Sequence, residues 1–105
     1  MFGGGSYEEV ARWLRNFVAS HAKLESPRVE GIVEASEERE GKFYHVRLRL
    51  GDRYFPSLNY PPVELAYPEV AEGKGSLAWC EATAERVRGW ARQLLEAEST
   101  PPHAA

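Results

Sequence analysis

Residues 28–50, RVEGIVEASEEREGKFYHVRLRL, decide the fold of this chain. From Tyr44 to Leu50, apolar residues alternate strictly with other residues, which is the period of a half-buried β-strand. One face of this strand is formed by Tyr44, Val46, Leu48 and Leu50. The opposite face is formed by Phe43, His45, Arg47 and Arg49. The stretch therefore predicts a β-hairpin with one apolar face and one polar, aromatic face.

The register of the hairpin follows from its apolar and charged residues. The first strand, residues 29–36, is joined to the second by a charged connection that contains glycine and suits a hairpin loop. Pairing Glu37 with Lys42 sets Val33 opposite Val46, and a slip of one residue would place these valines on opposite faces. The same register brings opposite charges together on the outer face, in the pairs Glu34–His45 and Glu30–Arg49.

The segment after the hairpin predicts further strands. Gly51 and Asp52 suit a two-residue turn, after which residues 53–55 return as a short third strand. This strand is predicted to set Phe55 opposite Leu48 and Tyr54 opposite Arg49. In the proline-rich segment that follows, residues 63–65 are predicted as a short fourth strand, and residues 56–75 are otherwise a long loop.

Helical periodicity flanks the predicted sheet on both sides. Ser6 and Glu9 form the S-x-x-E pattern of a capping box, so the first helix is predicted over residues 7–22. Ser76 is a candidate cap for a second helix over residues 77–97. The result is a two-layer α+β domain, α-β-β-β-(β)-α, with an antiparallel sheet and both helices packed on one face. The predicted core comprises Leu14, Phe17, Val33, Val46, Leu48, Phe55, Val87 and Leu94.

Length and composition predict one domain over residues 6–97, with a flexible leader at residues 1–5 and a disordered tail at residues 98–105. The chain has 105 residues, of which 43% are hydrophobic, and this is enough for a single core. The net charge of −3 gives no overall attraction to nucleic acid or to an anionic membrane. No apolar run is long enough to span a membrane, so we expect a cytoplasmic protein with no membrane partner.

The outer face of the sheet is the candidate functional surface, because two helices cover only the other face. Exposed aromatic groups beside arginine are typical of protein interfaces. No nucleophile or second base accompanies His45, so no catalytic residue is assigned. No metal ligand set or cofactor motif is recognised, and none is expected. The candidate binding residues are Ile32, Phe43, His45, Arg47, Arg49, Tyr54, Tyr60 and Tyr67.

Other chemically distinctive residues are predicted to have structural roles. His21 is expected to interact with the C-terminal end of the first helix. Cys80, the single cysteine, is expected to behave as a small hydrophobic residue on the buried stripe of the second helix. The glycine-rich turn Gly73–Gly75 is a weak signal for phosphate binding. The three tryptophans, Trp13, Trp79 and Trp90, are expected to pack at the margin of the core.

The order helix-strand-strand-strand-helix, with a glycine-rich turn before the last helix, resembles that of double-stranded RNA-binding domains. This resemblance implies phosphate contacts at the start of the last helix. The chain offers only Lys74 there, followed by Glu81 and Glu85, and its middle loop is longer.

Three functions stay open from the sequence. The first is a non-enzymatic interaction domain, with a protein partner or a second copy of the chain bound through the sheet. The second is nucleic-acid binding through Arg47, Arg49, Arg53 and Lys74, which the acidic composition disfavours. The third is a small-ligand or enzyme site under the 56–70 loop, where the groups assigned to it are Tyr54, Tyr60, Tyr67 and His45.

Overall fold

The computed structural model describes residues 5–38 and 41–99, and it confirms the predicted α+β class with an antiparallel sheet. Seven elements follow one another along this part of the chain. They are α1 (Tyr7–Glu25), β1 (Glu30–Glu38), β2 (Gly41–Leu50), β3 (Arg53–Phe55), β4 (Val63–Ala66), α2 (Tyr67–Gly73) and α3 (Leu77–Ser99).

Strand β2 is the centre of the sheet. Strand β1 pairs along one side of it, while β3 and β4 share the other side, β3 against residues 48–50 and β4 against residues 43–46. Arg47 therefore lies at the gap between the two short strands. The predicted register is confirmed at Val33–Val46, Glu37–Lys42, Leu48–Phe55 and Arg49–Tyr54, and the predicted fourth strand is present.

The helices lie on the inner face of the sheet, which carries the alternating apolar residues of β2. Helix α1 approaches β1 closely: a Cβ atom on Gly31 would lie 2.9 Å from Val18 Cγ1, so glycine is needed at this crossing. Helices α1 and α3 also pack against each other and contact α2. The largest fully buried side chains are Tyr44, Leu14, Leu48, Val10, Val18, Val29, Val46, Val70 and Val87.

Two predicted core residues are only partly buried. Phe55 is half-buried and stacks on Trp90 of α3, with 6.1 Å between ring centroids. Phe17 belongs instead to an aromatic cluster on the helix layer, where it stacks on Trp13 at 4.8 Å. Phe17 lies outside the buried stripe of α1, which is formed by Tyr7, Val10, Ala11, Leu14, Val18 and Ala22.

The helix boundaries differ from the predicted ones. The predicted capping box of Ser6 and Glu9 is present. Helix α1 continues three residues beyond Ala22, to Glu25. His21 was predicted in the last turn of this helix, but it lies before that turn. Instead its ring packs on Phe17. Helix α3 extends to Ser99, so the first residues of the predicted tail are helical.

The structure also differs from the predictions for the N-terminal end and the middle loop. Helix α2 was not predicted, although proline at its first turn is a helix-start signal. Gly5 belongs to the predicted leader, and its main-chain oxygen accepts a hydrogen bond from the Tyr67 hydroxyl at 2.7 Å. Residues 1–4 and 100–105 lie outside the described part of the chain.

Candidate interaction surface on the open sheet face

The outer face of the sheet has no helix on it in the described part of the chain, and we call it the open face. It carries alternate residues of β1 and β2, together with side chains of the two short strands. Its members are Ile32, Glu34, Phe43, His45, Arg47, Arg49, Tyr54 and Glu64. Six of the eight predicted binding residues therefore share one surface.

A groove of about 470 Å³ runs across the open face. Its floor is the sheet, and its wall is the segment between β3 and β4, residues 56–62, which we call the loop wall. The groove is lined by Ile32, Glu34, His45, Arg47, Tyr54, Leu58 and Pro62. The lining therefore combines charged and polar groups with apolar ones.

Arg47 fixes the loop wall to the sheet. Its Nη1 atom donates to the main-chain oxygens of Pro56 at 2.6 Å and Ser57 at 2.8 Å, and its Nη2 atom donates to that of Tyr60 at 2.8 Å. The gap between β3 and β4 leaves these carbonyls without strand partners, and the guanidinium fork satisfies three of them together. Arg47 was predicted as a binding residue, but it acts as a structural support for the loop wall.

The other charged groups of the open face are mostly paired within the chain. Arg49 donates to Glu30 at 2.6 Å, as the register predicted. Hydrogen bonds from Arg49 to Tyr54 and Glu30 raise the pKa of its guanidinium. Both groups stay partly exposed, so this ion pair adds little to stability.

The predicted cross-strand pair of Glu34 and His45 is confirmed, but the His45 side chain also contacts an acid on another strand. The backbone of His45 pairs with Glu34, but its Nε2 atom lies 3.2 Å from Glu64 of β4. The fourth strand thus brings in an acid that the hairpin alone could not reveal. Within residues 5–38 and 41–99, Glu34 is left as the acid of this face for which no ion-pair partner is found.

Two predicted binding residues lie away from the groove. The side chain of Tyr60 is 66% exposed on the loop wall, where its main chain is held by Arg47. Tyr67 packs on the inner side against Tyr7 and Tyr44, with centroid distances of 5.5 and 6.3 Å. The predicted combination of Tyr54, Tyr60, Tyr67 and His45 is therefore not assembled at one small-ligand site.

The inner tyrosine cluster is structural. Tyr7 donates to the main-chain oxygens of Ser36 and Phe43 at 3.0 and 2.8 Å, and the buried Tyr44 donates to the oxygen of Tyr7 at 2.8 Å. Burial is the main reason that the pKa of Tyr44 is raised far above its ordinary value. These bonds attach α1 to the hairpin, and they do not point to an acid or base at work.

Sequence reasoning missed three members of the surface. Leu58, Pro62 and Glu64 reach the open face because the chain leaves β3, forms the loop wall and returns as β4. The proline-rich composition marked a loop, but it gave no direction for that loop. The signal for Glu64 was its alternation with Val63 and Leu65 in the predicted fourth strand.

Two further regions of the surface lie away from the open face. A cavity of about 440 Å³ lies on the other side of the loop wall, between β3 and the end of α3, and Tyr54 and Leu58 line it too. On the helix layer, Trp79 packs 6.2 Å from Trp13 and donates from Nε1 to Glu69 at 3.1 Å. Both are explained by packing between neighbouring elements, and neither gathers convergent catalytic groups.

The described residues contain no group of three or more His, Cys, Asp or Glu side chains arranged to hold a metal ion. Cys80 is partly exposed, with its Sγ atom 3.6 Å from the main-chain oxygen of Gly73. None of the helices in residues 5–38 and 41–99 is both long and apolar enough to cross a bilayer.

Comparison with known proteins gives no family for this chain. No protein-family model matches it, and neither the curated proteins nor the solved structures yield a match. Its function is therefore inferred from the surface itself.

Proposed function

We propose that this chain is a non-enzymatic protein-interaction domain that self-associates through the open face of its sheet. The observation that supports the proposal is that the three helices of the described residues lie on one side of the sheet, while the other side presents a groove with apolar and aromatic residues. Apolar and aromatic groups grouped on an exposed face are typical of protein interfaces.

The charge pattern of the open face supports a protein partner. Arg49 is paired with Glu30, His45 lies beside Glu64, and Arg47 is bonded to the loop wall. A face whose cations are already engaged meets another protein surface without large net repulsion. The same engagement removes the cations that a nucleic-acid backbone would need.

Phe43 supplies the apolar anchor of the proposed interface. It pairs with Ser36 on β1 and with Ala66 on β4, and its side chain is partly exposed on the open face. Large aromatic anchors contribute much of the binding energy in protein interfaces. Phe43 is half-buried within the chain and lies outside the core cluster, so its replacement leaves the fold intact.

The test compares the wild type with Phe43→Glu by sedimentation velocity at tens of micromolar. The wild type is expected to sediment as a dimer and the variant as a monomer with an unchanged circular dichroism spectrum. Leu77→Glu is the matched control, because Leu77 is 75% exposed at the start of α3 on the helix side. A monomeric wild type, or a dimer that only Leu77→Glu disrupts, contradicts the proposal.

A further inference from the structure

The open face is asymmetric, and this asymmetry restricts how a second copy can bind. The sheet is only three strands wide at any level, with β1 on one side of β2 and the short strands on the other. The loop wall stands on the β3–β4 side, where Leu58 and Pro62 line the groove opposite Ile32 of β1. Among the residues that the structure describes, none forms a wall on the β1 side of the groove.

We infer that a second copy of this chain docks on the open face about a two-fold axis parallel to β2, so that the loop wall of each copy contacts Ile32 of the other. The inference rests on the proposed self-association. A two-fold interface sets each patch against its counterpart on the partner. This axis exchanges the two sides of the sheet, so each wall fills the side on which the other copy has none. An axis across the strands would set wall against wall.

The strand register places the contacting residues at the same level. Rotation about an axis along β2 keeps positions along the strands unchanged. The loop wall lies at the level of Arg47, because Arg47 bonds to its carbonyls, and the register partner of Arg47 on β1 is Ile32. Leu58 of one copy consequently meets Ile32 of the other.

In this arrangement each residue of β2 faces the same residue of the partner copy. The charged groups of β2 permit this. Arg47 is bonded to the loop wall and Arg49 to Glu30, so both guanidiniums are drawn toward neighbouring elements. His45 is likewise beside Glu64. Phe43 is left as the large side chain at the axis, where it stacks on its own copy.

The loop wall also offers a donor to Glu34, the acid of the open face for which the described residues provide no ion-pair partner. Tyr60 is 66% exposed, and Glu34 lies two residues along β1 from Ile32 on the same face. In the two-fold arrangement the Tyr60 hydroxyl of one copy reaches the Glu34 carboxylate of the other. A hydrogen bond to a charged acceptor is stronger than one between neutral groups.

Cysteine cross-linking tests the axis. Leu58→Cys and Ile32→Cys are made separately in a Cys80→Ser background, with tags of different size, then mixed and treated with a short bis-maleimide. The Leu58–Ile32 product is expected in several-fold excess over either homodimer. Leu58→Cys mixed with Leu77→Cys is the control, because Leu77 lies on the helix side, and this pair is expected to give no product.

Each other outcome overturns the inference in a distinguishable way. A dominant Leu58–Leu58 product means that the axis crosses the strands, and it leaves self-association through the open face standing. A sample that sediments as a dimer but gives none of these products places the interface elsewhere, so the proposed function fails as well. A monomeric sample contradicts both.

Discussion

The guanidinium of Arg47 donates to the main-chain oxygen of Tyr60 across 2.8 Å, so a residue of the central strand holds a loop thirteen positions away. The same side chain also holds Pro56 and Ser57. A loop fixed in this way loses less conformational entropy when it meets a partner. The proposed interaction surface is thus shaped by a residue that need not touch the partner itself.

Replacing Arg47 by Met is expected to release residues 56–62 while the sheet stays folded. The carbonyls of Pro56 and Tyr60 lose the donor that Arg47 supplies, while that of Ser57 keeps the main-chain N–H of Tyr60, and the free energy of unfolding should fall by about 1–2 kcal/mol. Hydrogen exchange should show lost protection in the loop wall and at its junctions with β3 and β4. Arg53→Met is the control, since Arg53 is exposed on β3. Equal protection in both variants would show that Arg47 does not hold the loop.

Leu48→Ala is expected to lower the free energy of unfolding by about 2–5 kcal/mol, because Leu48 is fully buried and its truncation leaves a cavity. Leu58→Ala, at a position that is 64% exposed, should change it by less than about 0.5 kcal/mol. Urea denaturation of the two variants gives the comparison. A small loss for Leu48→Ala would mean that the two faces of β2 are assigned the wrong way round.

The sequence was sufficient to predict the structural features that depend only on residues within the hairpin. Strict alternation in β2 and the charges of the hairpin were enough for the register, because a one-residue slip would expose the apolar face. The role of Arg47 was not predictable in this way, since it depends on where the chain returns after β3. The contact of His45 with Glu64 was not predictable for the same reason, since it depends on the position of β4.

Gly73 and Gly89 provide a matched pair of sites for alanine substitution. Gly73 lies against α3, whereas Gly89 lies at an open position within α3. A Cβ atom on Gly73 would lie 2.3 Å from Trp79 Cδ2, which is a steric clash with the ring. Gly73→Ala should therefore displace Trp79, change its fluorescence and cost about 1–3 kcal/mol. This contact was not predictable from the sequence, because it depends on α2, which was not predicted.

Gly89→Ala is expected to have the opposite effect. A Cβ atom on Gly89 would meet nothing within 4 Å, so packing does not require glycine at this position. Alanine should therefore stabilise α3 by about 0.5–1 kcal/mol. Thermal melts of both variants test the pair, and a destabilised Gly89→Ala protein would contradict this view of the helix.

Double-stranded RNA is not expected to bind tightly. Arg47 and Arg49 are engaged within the chain, and the start of α3 carries Glu81 and Glu85. Fluorescence anisotropy at about 0.15 M salt should give no sub-micromolar binding to a labelled duplex. Tight binding that is lost on charge reversal of Lys74 and Arg53 would overturn this expectation and favour a nucleic-acid function.

Glu25 should make the contact between α1 and α3 dependent on pH. Its carboxylate accepts from Arg88 Nε at 2.9 Å and from Arg92 Nη1 at 3.0 Å. These bonds, that from Arg88 foremost, hold the pKa of Glu25 below its ordinary value of 4.5. A carboxyl group with a lowered pKa stabilises the fold above its ordinary pKa, and this contribution is lost as the pH falls through the lowered value.

The expected result is that Glu25→Gln is less stable than the wild type at neutral pH, and that the difference shrinks as the pH falls below 4.5. Glutamine keeps the shape and one acceptor oxygen, so the comparison isolates the charge. Glu81→Gln on the exposed side of α3 controls for the change in net charge. Urea midpoints measured from neutral to acidic pH give the test. A gap between Glu25→Gln and the wild type that persists in acid would mean that lost packing, and not the ion pairs with Arg88 and Arg92, causes the destabilisation.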